Sequence, residues 1–422
     1  MKHTFFQHTI VFFLSLILAV GFLLAGACIP QSPIDANVKD SAALMVEEGC
    51  YPTMADHAFA ATLDYTTDAL ILAESKATTI SQWETIFTNP LYQYDYGEGT
   101  AVDHLYQYTL DDNPVPSKFY VQYWMGFRPV IRLLLSFLDY YQILRYTAVA
   151  FFVLWAAVLC SVARRAGTKA AFLFAVSIIL VRPHVISVSL QFSCCFFLAF
   201  IAMLLMPRLC HYEKQESLFF LVLGILTQYF DFYTTPVITF VLPMTYLYLL
   251  KKQDEKLSSL KALGANAAAW SAGYGLMWLA KLILTSLLTD ANGLGQGIAS
   301  FRGRIGIEKV SGMESYYNPI AALKSVAISL YSDQEGKLIF FGAAAIFVLL
   351  TVYRFFRCRH HLRALLCNWH LLILASLPVI WFMAAAQPTA NHHWFQYRGI
   401  TASFWAFFLY LQLLLSPDSK TS

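Results

Sequence analysis

The apolar residues of this chain come in long blocks, each about as long as a bilayer is thick, rather than in a stripe that recurs with the helical period. Such a block must satisfy its backbone donors and acceptors internally once it lies in hydrocarbon, which makes it an α-helix. Ten segments qualify: roughly 9 to 28, 144 to 163, 170 to 189, 190 to 206, 217 to 233, 235 to 250, 264 to 288, 338 to 353, 369 to 386 and 398 to 415. The expected fold class is therefore an all-α integral membrane protein with about 10 transmembrane helices. A hydrophobic content of 58% beside only 13% charged residues agrees, since soluble chains are about a quarter charged.

Two pairs of segments abut, so the chain must turn near Gln191 and between Asp231 and Pro236. Orientation follows from Lys and Arg, because short loops rich in both stay in the cytoplasm. With Lys2 inside, alternate short loops carry Arg164, Arg165 and Lys169; Arg208 and Lys214; Lys251, Lys252, Lys256 and Lys261; and Arg354, Arg357, Arg359 and Arg363. All fall on one side, so a multi-pass cell-membrane protein with both termini cytoplasmic is expected. Residues 1 to 28 read as a retained signal anchor, because the apolar run is longer than a signal-peptide core. Residues 29 to 143 form a long outer loop with interfacial helices, 144 to 288 hold the second to seventh spans, 289 to 337 form a second outer loop, and 338 to 422 carry the last three spans and a short cytoplasmic tail. In the first loop a helical pattern runs over about 54 to 75, and residues 119 to 138 suit an amphipathic helix lying at the interface.

A net charge of only +3 sets aside nucleic acid as a partner. The eight cysteines show no CxxC and no zinc spacing; Cys28 and Cys50 alone fall in the outer region, where a disulfide is conceivable. No cofactor is expected, and a divalent metal has no motif behind it.

Ionisable residues beside membrane spans are costly and mark functional sites by default. Here they gather on the outer side: Asp64 and Asp68, Asp95, Asp103 and His104, Arg128 and Arg132, Arg182 and His184, Gln228 and Asp231, and Asn391, His392 and His393 with Arg398. Asp64 and Asp68 are four apart, so a helix places both carboxylates on one side, where one can act as a base of raised pKa; an acidic solvated face with Asp64 near a cap is the competing account. Arg128 and Arg132 repeat that spacing with positive charge and can clamp a phosphate or a lipid headgroup. Arg182 and His184 flank a helix break at Pro183, Asp231 stands at a turn it can cap, and His392 and His393 can donate to a phosphate. The glycines from 293 to 306 read as a mobile loop.

The order of parts, a first span, a long outer loop with an early acidic motif, then many spans with short connectors, resembles the class C (GT-C) membrane glycosyltransferases. As a motif the resemblance covers only Asp64 to Asp68, and it lacks both the paired acidic residues at a helix tip and a large C-terminal domain. More narrowly, Leu63 to Leu72, Tyr123 to Leu134, Tyr229 to Pro236 and Asn391 to Arg398 resemble segments of a family of polytopic membrane proteins from Gram-positive bacteria without an assigned activity. The resemblance implies transfer of a sugar from a polyprenyl-phosphate donor to a glycan or lipid acceptor on the outer face, with inversion. It makes Asp64 and Asp68 the catalytic residues and Arg128, Arg132, Arg182, His184, Asp231, His392, His393 and Arg398 the substrate-binding ones. A transporter or flippase for a lipid-linked glycan and a non-catalytic assembly protein are the rival readings.

Overall fold

The computed structural model describes residues 2–54, 59–76, 81–92, 98–116, 118–210, 213–251, 259–305, 318–330 and 368–415, with isolated positions from 337 to 353. The expected span at 338 to 353 lies outside the fully described residues, as does Asp95.

The chain is almost wholly helical. After α1 (Lys2–Ala27) comes a layer of short helices: α2 (Gln31–Glu48), α3 (Tyr65–Lys76), α4 (Gln82–Thr88), α5 (Ala101–Leu110) and α6 (Arg128–Leu135). A bundle of longer and more apolar helices follows: α7 (Tyr140–Ala166), α8 (Thr168–Ile179), the short α9 (Pro183–Ser187), α10 (Leu190–Leu209), α11 (Glu213–Phe230), α12 (Ile238–Leu250) and α13 (Ser259–Leu288). The chain continues through α14 (Gly293–Arg304), α15 (Pro319–Leu330), α16 (His370–Ala384), α17 (Ala386–Asn391), α18 (His393–Gln396) and α19 (Thr401–Leu415). Pro90–Leu91 and Lys118–Phe119 pair antiparallel and close the loop that carries α5.

Four described stretches are long and apolar enough to cross a bilayer unaided: Phe5–Ala27, Tyr140–Ala166, Leu190–Leu209 and Leu260–Leu288. Thr168–Ile179, Ile238–Leu250, Pro319–Leu330 and His370–Ala384 are apolar but shorter. The span expected over 170 to 189 ends early: α8 stops at Ile179, and the turn expected near Gln191 lies at residues 180 to 189 instead. Arg182 adopts φ +59° before Pro183, and the Ser189 hydroxyl accepts from Phe192 N at 3.3 Å to start α10 ahead of Gln191. The break between Asp231 and Pro236 is found where expected.

Local chemistry sets most boundaries. Asp139 and Gln142 form a reciprocal capping box at the start of α7. Thr100 and Asp103 do the same for α5, which gives Asp103 a local structural task and holds its carboxyl below the usual range. Among the described residues, the helical pattern of 54 to 75 comprises a 3-10 turn, Phe59–Ala61, and α3. The amphipathic stretch at 119 to 138 is helical only over Arg128–Leu135, because Met125 takes φ +55° and Gly126 is pressed against Tyr229.

Gly224 on α11 and Gly273 on α13 let these two helices cross closely. A Cβ on the first would overlap the Trp270 carbonyl oxygen, and one on the second that of Leu221. Small residues at such crossings let backbones approach where lipid supplies no hydrophobic drive. The same device seats α14: Gly293 and Gly297 meet the Leu282 carbonyl and side chain of α13. The stretch expected to be a mobile loop is thus a packed helix through Arg304, while residues 306 to 317 lie outside the described residues.

Candidate functional site

The start of α3 positions the acidic pair. Asp64 precedes the helix as its cap: Oδ1 accepts from Thr67 N at 3.1 Å and Oδ2 from Thr67 Oγ1 at 2.7 Å. Asp68 lies one turn on, buried, with Oδ2 receiving the Tyr140 hydroxyl at 2.5 Å. Its Oδ1 has no hydrogen bond, although the Leu190 and Gln191 amides at the head of α10 stand close enough to favour its anion. Burial raises both carboxyls, Asp68 to about 7, with the charge of Asp64 adding to the effect. The two acids therefore share a side, as their spacing requires, but one is a cap and the other a buried acceptor.

The arginine pair has a different setting. Arg128 and Glu74 pair inside the protein at 3.5 Å, both buried, and Arg128 also reaches the Thr85 carbonyl at 3.5 Å. Glu74 lies ten residues beyond Asp64 along the chain, about 15 Å along a helix axis, so Arg128 is not beside Asp64. Lys281 of α13 completes that cluster: Nζ donates to the Ile86 carbonyl at 2.7 Å and stands 5.5 Å from the Trp124 ring centre. Arg132 binds carbonyls near two helix ends, Gly26 at 2.9 Å in the last turn of α1, Ile29 at 3.1 Å just beyond it and Ser75 in the last turn of α3, together with Gln31 Oε1 at 3.1 Å. These guanidiniums knit α1, α3, α4 and α6 together, and the cations favour the carbonyl ends of helices. Glu74 and Lys281 escaped the sequence reading, although a lysine within the apolar block 264 to 288 was itself a signal.

Arg398 does reach the acidic end of α3. Its Nη2 donates to the Ala60 carbonyl and Nη1 to that of Trp394, both at 3.0 Å, and its guanidinium lies 4.5 Å from the Phe192 ring centre. Its Nε, fully buried, has no partner. Arg182 and His184 stand near it, and burial and the charges of both arginines push the His184 imidazole down. The loop between α16 and α19 closes the circle: Trp394 packs edge-on against Tyr51 at 5.8 Å, and Tyr51 feels the charge of Asp64. His392 stacks on Phe395 at 5.4 Å with a buried, unpartnered Nδ1, and burial pushes its pKa down to about 4, which leaves it neutral. His393 Nδ1 hydrogen-bonds Ser329 Oγ at 2.7 Å. Asp231 accepts from Thr234 N and Oγ1, at 3.1 and 2.6 Å, and so fastens the turn before α12 rather than capping the helix.

The structure thus brings Asp64, Asp68, Arg182, His184, His392 and Arg398 into one neighbourhood and leaves Arg128 and Arg132 outside it. Cys28 and Cys50 are free thiols. Among the described residues no group of three His, Cys, Asp or Glu could hold a metal ion. Compared with family models, with curated proteins and with solved structures, the chain matches none.

Proposed function

We propose that this protein is a membrane glycosyltransferase of the GT-C kind, with ten spans and both termini cytoplasmic, moving a sugar from a polyprenyl-phosphate donor to a glycan or lipid acceptor on the outer face. The observation that supports it is the approach of Arg398 to the segment Ala60–Asp64: a cation short of partners bonds the backbone just before a carboxylate of raised pKa. Asp64 takes the proton of the acceptor hydroxyl, and that oxygen attacks the anomeric carbon from the side opposite the leaving group. The bond from the anomeric carbon to the lipid phosphate breaks, its electron pair leaves with the phosphate, and the configuration inverts. Arg398 and Arg182 offset the charge that develops on the departing phosphate, a contribution that is largest where water is excluded. Asp68 is the second acid of the site, and the cation role expected of Arg128 and Arg132 passes to Arg398 and Arg182.

Asp64 has two tasks, so the test must separate them. Serine caps a helix about as well as aspartate but cannot act as a base. Asp64→Ser should melt like the wild type in detergent and lose transfer of labelled sugar in proteoliposomes by about 100-fold or more. Undiminished transfer by Asp64→Ser refutes the base assignment. Movement of the lipid-linked sugar across the bilayer with no glycosyl product would replace the transferase with a flippase.

A further inference from the structure

A second polar feature lies away from the acidic pair, on the α13 and α14 side of the protein. A cavity of about 350 Å3 is bordered by Tyr274, Trp278, Phe301, Trp381, Ala384 and Pro388, among others, and by Arg304. That volume is within the range of about 300 to 1,000 Å3 typical of small-molecule pockets. Its wall is almost entirely carbon, and two of its sides are apolar helices, α13 and α16.

Arg304 is the exception in that wall. One of its Nη atoms donates to the Tyr123 hydroxyl, and its guanidinium stands 4.6 Å from the ring centre of Tyr233 and 5.7 Å from that of Tyr123. Among the described residues no carboxylate lies within ion-pair distance of it. A guanidinium held among aromatic rings has lost hydration that one phenol replaces only in part, and buried charges are normally paired. The ionisable groups around it are the phenols of Tyr123, Tyr233 and Tyr274 and the imidazole of His392, and none of them is a carboxylate. A planar fork of donors on a residue that borders an apolar cavity matches a phosphate monoester or diester carrying a hydrocarbon chain.

We propose that this cavity binds a long-chain alkyl phosphate, the phosphate on Arg304 and the chain between Trp278, Phe301 and Trp381. The site is separate from the acidic pair, and the binding does not rest on the transferase reading. No sugar donor enters the test, so failure here and failure of the transferase leave different records.

Trp278 and Trp381 line the cavity and provide the readout. The full-length protein in detergent is titrated with an alkyl monophosphate brominated along its chain, which quenches indole fluorescence on contact. The expected result is saturable quenching that shrinks in Trp278→Phe, an apparent affinity at least tenfold weaker in Arg304→Gln, and partial recovery in Arg304→Lys. The matching brominated alcohol should bind at least tenfold more weakly than the phosphate to the wild type and equally to wild type and Arg304→Gln. Inorganic phosphate in millimolar excess should leave the quenching in place; relief by it would mean a free-phosphate site and overturn the lipid assignment. Equal quenching by alcohol and phosphate would also overturn the proposal, as would an Arg304→Gln variant that binds like the wild type. Should Arg304→Gln not fold, Ser300→Phe fills the cavity while keeping the arginine, and quenching undiminished in that variant counts against the site.

Discussion

The environment of Asp68 makes a quantitative prediction about pH. Its carboxyl sits between α3, Tyr140 and the head of α10, with 1% of the residue exposed, and burial raises its pKa from 3.8 to about 7. A folded state that holds a proton where the unfolded chain has released it gains stability from that proton. The contribution is therefore fully present below the unfolded value of 3.8 and is lost as pH rises through about 7. The difference between the two values corresponds to a swing of about 4 kcal/mol at most. Asp68→Asn keeps an oxygen for the Tyr140 hydroxyl and cannot ionise. The two proteins should melt at similar temperatures near pH 4, and the Asn variant should be the more stable by several degrees near pH 8. Thermal unfolding in detergent across that range measures it, with the comparison cancelling the titration of Asp64 and the nearby tyrosines in the first approximation. A constant offset between the two curves, or a wild type that gains on the variant as pH rises, would refute the burial argument.

Arg132→Met should lower stability by about 4 kcal/mol, because three carbonyls near helix ends and Gln31 lose a charged donor that methionine replaces only in volume; limited proteolysis near residues 26 to 31 reads the loosening. Gly224→Ala should cost about 1 to 3 kcal/mol by forcing α11 and α13 apart, whereas Gly264→Ala on α13, whose Cβ meets nothing within 4 Å, should be neutral or slightly stabilising. A melt in which both alanines behave alike would show that the crossing is not tightly packed. Lys281→Met strands the Ile86 carbonyl and leaves Glu74 to Arg128 alone, for an expected loss of about 3 kcal/mol by the same assay.

Much of the local structure was written in short-range chemistry. The break at Asp231 to Pro236 was legible because proline, threonine and aspartate act within a few residues of themselves, and the resulting turn is held by Asp231 and Thr234. The start of α3 at Tyr65 follows from Asp64 and Thr67 in the same way. The break placed at Gln191 was off by several residues, since the competing signals, Pro183 and Ser189, both sit ahead of it. Gly293 and Gly297 are four apart, the spacing of a helix-packing pair, but with five glycines from 293 to 306 composition suggested a loop.

What the sequence determined by itself is the environment and the class of backbone: blocks of apolar residues too long for anything but helices, punctuated by polar turns, with polar residues gathered at the ends. Those properties depend on neighbours along the chain and on solvent, so one strand of text carries them. Which cation meets which anion was decided only by tertiary packing. On paper Arg128 ranks ahead of Arg398 as the cation beside Asp64, yet the first is bound to Glu74 and the second reaches Ala60, because the axial distance along α3 separates the two ends. The first contact joins residues 54 apart in sequence and the second residues 338 apart, and no periodicity records either.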